Sequence, residues 1–124
     1  MAGFIGLFGY TGYCASKFAA VGFSEALLRE VENFGVSVSV LCPPNTKTPG
    51  LEEENKYKPA EVLKVEEKAK PVDVAIVAQA LLKALPSRKF FIHPTFDGSL
   101  AHGLSRFLPA VLKQFTKRPK SLSN

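Results

Sequence analysis

The clearest periodicity in the chain lies between residues 13 and 33. Ala15, Phe18, Ala19, Gly22, Ala26 and Leu27 recur at helical spacing, and Glu25, Arg29, Glu30 and Glu32 crowd the second half. The pattern predicts a helix from about Gly12 to Asn33, capped by Thr11 or Gly12 and stopped by Gly35. Its stripe of small and apolar residues should pack on a sheet or a second helix. Ahead of it, Gly3, Gly6, Gly9 and Gly12 alternate with Phe4, Ile5, Leu7, Phe8 and Tyr10. This is not G-x-G-x-x-G and no strand precedes it, so it reads as an irregular apolar loop, not a phosphate cradle.

Further along, Val36-Ser37-Val38-Ser39-Val40-Leu41-Cys42 alternates valine with serine, a strand signal ended by Pro43-Pro44. Residues 51–70 are highly charged, with Pro59 and Pro71 as punctuation, and suggest a mobile flap with a short helix. Residues 71–85 form an apolar helix, with Pro71 in its first turn and Asp73 complementing the N-terminal dipole. It is apolar around most of its circumference and should be largely buried. Residues 89–93 read as a short strand. Helix–strand–helix–strand order favours parallel pairing. Over 99–115, Leu100, Leu104, Phe107, Leu108, Val111 and Phe115 share one face, Arg106 and Lys113 lie off it, and Pro109 should kink or split the helix near Leu108. Residues 116–124 are expected to be a disordered basic tail.

Composition sharpens this reading in two places. The chain has 124 residues and a net charge of +5, and its 16 bases exceed its 11 acids only through Arg106, Lys113, Lys117, Arg118 and Lys120. A neutral body with a basic end suits an anionic membrane surface or a solvated terminus, and nothing else in the sequence supports nucleic-acid binding. Residues 99–115 therefore suit either an interfacial amphipathic helix or one packed on the domain. The cysteines are Cys14 and Cys42, with no C-x-x-C, and read as small buried thiols of a reducing compartment. Glu52-Glu53-Glu54 has no His or Cys beside it, and His93 and His102 stand alone, so no metal site is expected.

The chemistry is carried by Tyr13-Cys14-Ala15-Ser16-Lys17. A Tyr and a Lys four residues apart share a helix face, roughly 6 Å apart along the axis. An ammonium there should pull the phenol down from about 10, towards values useful for proton exchange with an alcohol or alkoxide. A second candidate is the loop after the first strand, Pro43-Pro44-Asn45-Thr46-Lys47-Thr48-Pro49-Gly50, because open α/β sheets bind ligands beyond the carboxyl ends of their strands.

Residues 13–30 resemble the active-site helix of the short-chain dehydrogenase/reductase superfamily, Y-x-A-S-K followed by x-A-x-x-G-F-S-E-x-L-x-x-E. That resemblance implies the C-terminal part of a Rossmann-like, doubly wound α/β parallel sheet, incomplete here with about two strands plus helices. The implied division is a dehydrogenase half-domain over 1–98, an amphipathic helix over 99–115 and a tail over 116–124. Tyr13 and Lys17 become the catalytic pair, and both also meet the cofactor. The backbone of Pro43 and Pro44, with Thr46 and Thr48, would hold the nicotinamide end. The superfamily's usual Pro-Gly opening is Pro43-Pro44 here. Together with Thr46, Thr48-Pro49-Gly50 and Glu53-Glu54-Asn55, that departure resembles the 3-ketodihydrosphingosine reductases. So does the approach Gly6-Leu7-Phe8-Gly9-Tyr10-Thr11.

The resemblance further implies NADPH, a lipid ketone substrate, a homodimer through helix 13–33, membrane contact by 99–120, and a place on the cytosolic face of the endoplasmic reticulum, with the cytoplasm as alternative. The glycine-rich turn after a first strand is not in this sequence, and the family's catalytic Ser would fall before Met1, so a fragment that is inactive alone is expected. Two alternatives stay open. One is a non-catalytic dimerising or membrane-associating module. The other is a reductase of another lipid ketone, a retinoid or a steroid.

Overall fold

The structure, a computed structural model, describes residues 2–58, 60–66 and 70–110. Expectations for residues 111–124, including Val111, Phe115 and the basic tail, lie outside the described residues. The elements run α1 (Thr11–Val31), β1 (Val40–Leu41), α2 (Pro49–Asn55), α3 (Ala60–Glu66), α4 (Val74–Ala84), β2 (Phe91–Ile92) and α5 (Phe96–Phe107).

The first helix starts at Thr11, one position before the residue expected. Its N-cap is Tyr10, and no side chain caps it. The Cys14 amide closes the first turn on the Tyr10 carbonyl at 2.7 Å. At the other end the helix tightens into a 3-10 turn, Glu32–Phe34, and stops at Gly35. Gly35 has φ 72°, the left-handed conformation that a residue without Cβ adopts freely.

β1 and β2 pair in parallel, with Val40 opposite Phe91 and Leu41 opposite Ile92. The Val40 and Cys42 amides donate to the carbonyls of Phe90 and Ile92. Each strand is shorter than its sequence pattern because each has only the other as a ladder partner among the described residues, and Val36 is left half-exposed. Beyond β1, Thr46 forms a parallel bridge with Val72. The Lys47 amide donates to Val72 at 2.9 Å, and the Val72 amide to Asn45 at 2.8 Å.

α4 supplies the crossover between the strands and packs against β2. Asp73 is its N-cap, accepting the Ala75 amide at 2.8 Å, so Pro71 falls outside the helix rather than in its first turn. The expected burial of this helix does not hold. Val77 is its buried residue, while Ile76 is 50 % and Leu82 66 % exposed. A two-stranded sheet is too narrow to cover more than one side of it.

A similar correction applies to α1. Of the expected stripe, Ala15, Phe18, Ala19, Gly22 and Ala26 are exposed and Leu27 is only partly covered. The packed side carries Cys14, which is buried, and Val21, which faces the N-terminal loop. Gly3 of that loop lies so close that a Cβ there would stand 3.1 Å from Val21 Cγ2 and 3.2 Å from the Lys17 carbonyl oxygen. Ala2 and Ile5 are buried beside it, and with Cys14, Val62, Val77 and Ile92 they make up a small core.

The charged segment holds two short helices, not one. Thr48 caps α2, its hydroxyl accepting the Leu51 amide at 3.1 Å, with Pro49 as the first helical residue. α5 begins at Phe96, earlier than its hydrophobic pattern, and ends at Phe107. Leu108 leaves the helical region because it precedes Pro109. Leu100, Phe107 and Leu108 are exposed and line an open apolar depression with Phe96 and Leu104. Among the described residues no helix is long and apolar enough to cross a membrane.

Candidate active site

α1 places Tyr13 in its first turn and Lys17 one turn later. The Lys17 Nζ lies 5.1 Å from the centre of the Tyr13 ring, a cation–π distance. The pair shares one face of the helix, as the spacing requires. Lys17 makes no ion pair among the described residues. Its ammonium therefore keeps donors for a ribose hydroxyl.

The electrostatics of the phenol depart from the sequence expectation. Tyr13 is half-exposed, yet its pKa is raised, not lowered. Partial burial is the leading cause and the charge of Glu54 the next. The cation that opposes them is Lys58, not Lys17. Lys17 meets the ring's π-face, and the neighbours with the larger electrostatic effect come from the segment after β1. A phenol held above its usual range is protonated near neutrality, as an unperturbed tyrosine also is, but is a weaker acid than one, so the described residues alone do not tune it for proton transfer.

The Tyr10 ring lies 5.5 Å from that of Tyr13. Its hydroxyl donates to Glu66 Oε1 at 2.8 Å. Burial and that hydrogen bond push the Tyr10 phenol up to about 12, against the pull of Lys58. Sequence reasoning missed Tyr10, Glu54, Lys58 and Glu66. The available signal was the i, i+4 spacing of Glu54 and Lys58 within a charged run. Nothing in the spacing points from Tyr10 to Glu66.

The loop after β1 is held by its own backbone and by Val72. The Thr46 hydroxyl donates to the Pro44 carbonyl at 2.8 Å, leaving its lone pairs to accept from a carboxamide. The Thr48 oxygen accepts the Leu51 amide, leaving its O–H to donate. Pro43 and Pro44 lie just beyond the carboxyl end of β1. The hydrogen bonds of this loop do not reach Tyr13 or Lys17 among the described residues. Its connection to them runs through α2, which carries Glu54 towards Tyr13. The unpaired ammonium and the two hydroxyls with spare capacity fit the nicotinamide and ribose half of a dinucleotide.

His93 and His102, read as isolated in sequence, are hydrogen-bonded partners, Nε2 to Nδ1 at 3.1 Å. Phe4 stacks on His102 at 4.2 Å and meets Phe91 edge-on at 5.3 Å. The pair ties α5 to β2 and the N-terminal loop. Among the described residues no three His, Cys, Asp or Glu side chains converge on a metal position. Cys14 is a buried free thiol, and Cys42 is half-buried and also free.

Comparison with known proteins places this geometry. Residues 1–59 match the family model for short chain dehydrogenase. The chain is 52% identical to the 3-ketodihydrosphingosine reductase of Mus musculus over 104 residues, 84% of this chain and 31% of that protein. It is 46% identical to the 3-dehydrosphinganine reductase of Danio rerio over 82 residues, 66% of this chain and 25% of that protein. With the 3-ketodihydrosphingosine reductase of Dictyostelium discoideum it shares 36% identity over 90 residues, 73% of this chain and 27% of that protein. The chain thus spans under a third of the length of the curated relatives it matches. No solved structure matches it significantly. With Tyr13 and Lys17 on α1 inside the matched segment, and a parallel α/β arrangement behind them, the chain belongs to the short-chain dehydrogenase/reductase family.

Proposed function

We propose that this chain carries the proton-transfer part of a ketone reductase that converts 3-ketodihydrosphingosine to dihydrosphingosine with NADPH. The observation that carries the reading is the Tyr13–Lys17 pair on α1, in a segment similar to reductases named for that substrate. The family generally binds a nicotinamide dinucleotide.

When bound, the cofactor supplies the hydride that reduces the carbonyl carbon. Tyr13 gives its hydroxyl proton to the carbonyl oxygen as negative charge develops there, and the phenolate recovers a proton from solvent. The phenol enters the reaction protonated, as an ordinary tyrosine does, and its raised pKa makes the charge of Lys17 and of a bound cofactor the means of easing proton release. Lys17 bonds the ribose and lowers the cost of the transient phenolate by its charge. The Pro43–Pro44 backbone, with Thr46 and Thr48, orients the nicotinamide end. α2 and α3 close beside Tyr13 and limit water at the reacting oxygen.

Two surfaces extend the reading. The exposed face of α1 with Phe18, Ala19 and Phe23 suits a second copy, giving a homodimer through 13–33. The exposed Leu100, Phe107 and Leu108, with Arg106 and the bases that follow, suit an anionic membrane surface, in keeping with the cytosolic face of the endoplasmic reticulum.

The test is substrate competition in the complete reductase that contains this segment. Turnover of 3-ketodihydrosphingosine with NADPH, and none of retinal or a steroid ketone, is expected. Preference for either of those ketones would overturn the substrate assignment.

A further inference from the structure

Segment 49–66 is tied to the start of α1 by one compact set of charges. Glu66 uses both carboxylate oxygens. Oε1 accepts from the Tyr10 hydroxyl at 2.8 Å, and Oε2 from Lys58 Nζ at 2.8 Å. Lys58 also lies 3.3 Å from Glu54 Oε1, and its side chain is only 4% exposed. Its Nζ stands 6.0 Å from the centre of the Tyr10 ring. A lysine so enclosed holds its charge only because its partners compensate the lost water. Burial works to lower its pKa, but Glu66 and the Tyr10 hydroxyl outweigh that and raise it above the ordinary range.

These groups come from three places: Glu54 from α2, Lys58 from the link, and Glu66 from the end of α3. Lys58 and Glu66 meet on Tyr10, the N-cap residue of α1, whose ring lies against that of Tyr13, and Glu54 joins them through Lys58. The same three charges act on the Tyr13 phenol, Glu54 and Glu66 raising its pKa and Lys58 lowering it. Docking and electrostatic tuning are therefore done by one set of side chains.

We propose that Lys58 and Glu66 are positioning residues, a latch that seats α2 and α3 on the Tyr10 end of α1 and so covers one side of Tyr13. This rests on the reading of Tyr13 as proton donor, but the latch is measured without turnover. Amide hydrogen exchange of the 124-residue chain is compared for the parent, Glu66→Ala and Tyr10→Phe. Tyr10→Phe keeps the ring and removes only the hydroxyl, so it guards against a Glu66 variant that fails to fold.

Both substitutions should speed exchange in α2 and α3 by roughly tenfold or more while leaving α4 and β2 unchanged. The ring-carbon NMR titration of Tyr13 in Glu66→Ala should also move down towards the ordinary value, as its cover and the nearby carboxylates are withdrawn together, a change that loosening of α2 and α3 at a distance from Tyr13 would not produce. Unchanged exchange in α2 and α3, acceleration spread over the whole chain, or a Tyr13 titration that stays put would each overturn the proposal. Retained turnover in a Tyr13→Phe reductase would instead remove the proton-donor reading and leave the exchange result intact.

Discussion

Lys17 meets Tyr13 through the face of its ring, with 5.1 Å between the ammonium and the ring centre. The contact holds the two side chains on one side of α1 without depressing the phenol. The leading charges that bear on the Tyr13 hydroxyl come from Glu54 and Lys58, residues remote from it in sequence. Lys17 makes no ion pair among the described residues, which leaves its ammonium free for the ribose contact proposed above.

This gives Lys17→Met a definite kinetic signature. In the complete reductase it should raise the KM for NADPH and lower kcat/KM on the order of 10²-fold, a magnitude typical of one lost electrostatic contact in a reacting site. Steady-state kinetics at varied NADPH checks it, and an unchanged KM would separate Lys17 from the cofactor.

Two glycines bear on α1: Gly35 stops the chain beyond it, and Gly3 packs against its middle. Gly35→Ala places a Cβ on a residue at φ 72°, and about 1 kcal/mol of destabilisation is expected. Gly3→Ala drives a methyl against Val21 and the Lys17 carbonyl, with about 1–3 kcal/mol lost unless the loop shifts. Urea unfolding of both variants should show lower midpoints than the parent.

The His93–His102 hydrogen bond predicts acid sensitivity. Burial lowers the pKa of both imidazoles. His93 is lowered further by His102, and His102 by Arg106, with Glu25 opposing. A group that folds with a depressed imidazole pKa favours the neutral form. Its contribution is whole above the unfolded value of about 6.5. It declines as pH falls below that, because the unfolded chain takes up the protons first. Thermal unfolding should show Tm dropping between pH 6.5 and the lower folded pKa values, and His102→Phe, which keeps a ring for Phe4 to stack on, should flatten that limb.

Much of the local structure was legible in advance. The helix ending at Gly35, the strand halted by Pro43 and the break ahead of Pro109 each follow from backbone chemistry that a residue carries with it, whereas Asp73, expected inside α4 as a partner of its dipole, proves to be the N-cap. The Tyr13–Lys17 relation was legible for the same reason, since helical periodicity alone aligns the two. Burial was not. The apolar circumference of α4 and the small-residue stripe of α1 suggest packed faces, but packing depends on what stands opposite, and here Phe18 and Leu82 meet solvent. The latch and the histidine pair were invisible because they join residues through the fold. Tyr10 reaches Glu66 across two helices, and His93 on the strand side finds His102 on α5.

The central assignment is that the Tyr13 hydroxyl delivers the proton to the substrate oxygen. Turnover of 3-ketodihydrosphingosine by a Tyr13→Phe reductase, followed alongside NADPH binding, addresses it most directly. The account predicts that turnover is lost while NADPH still binds; a variant that reduces the ketone at the parent rate would contradict it.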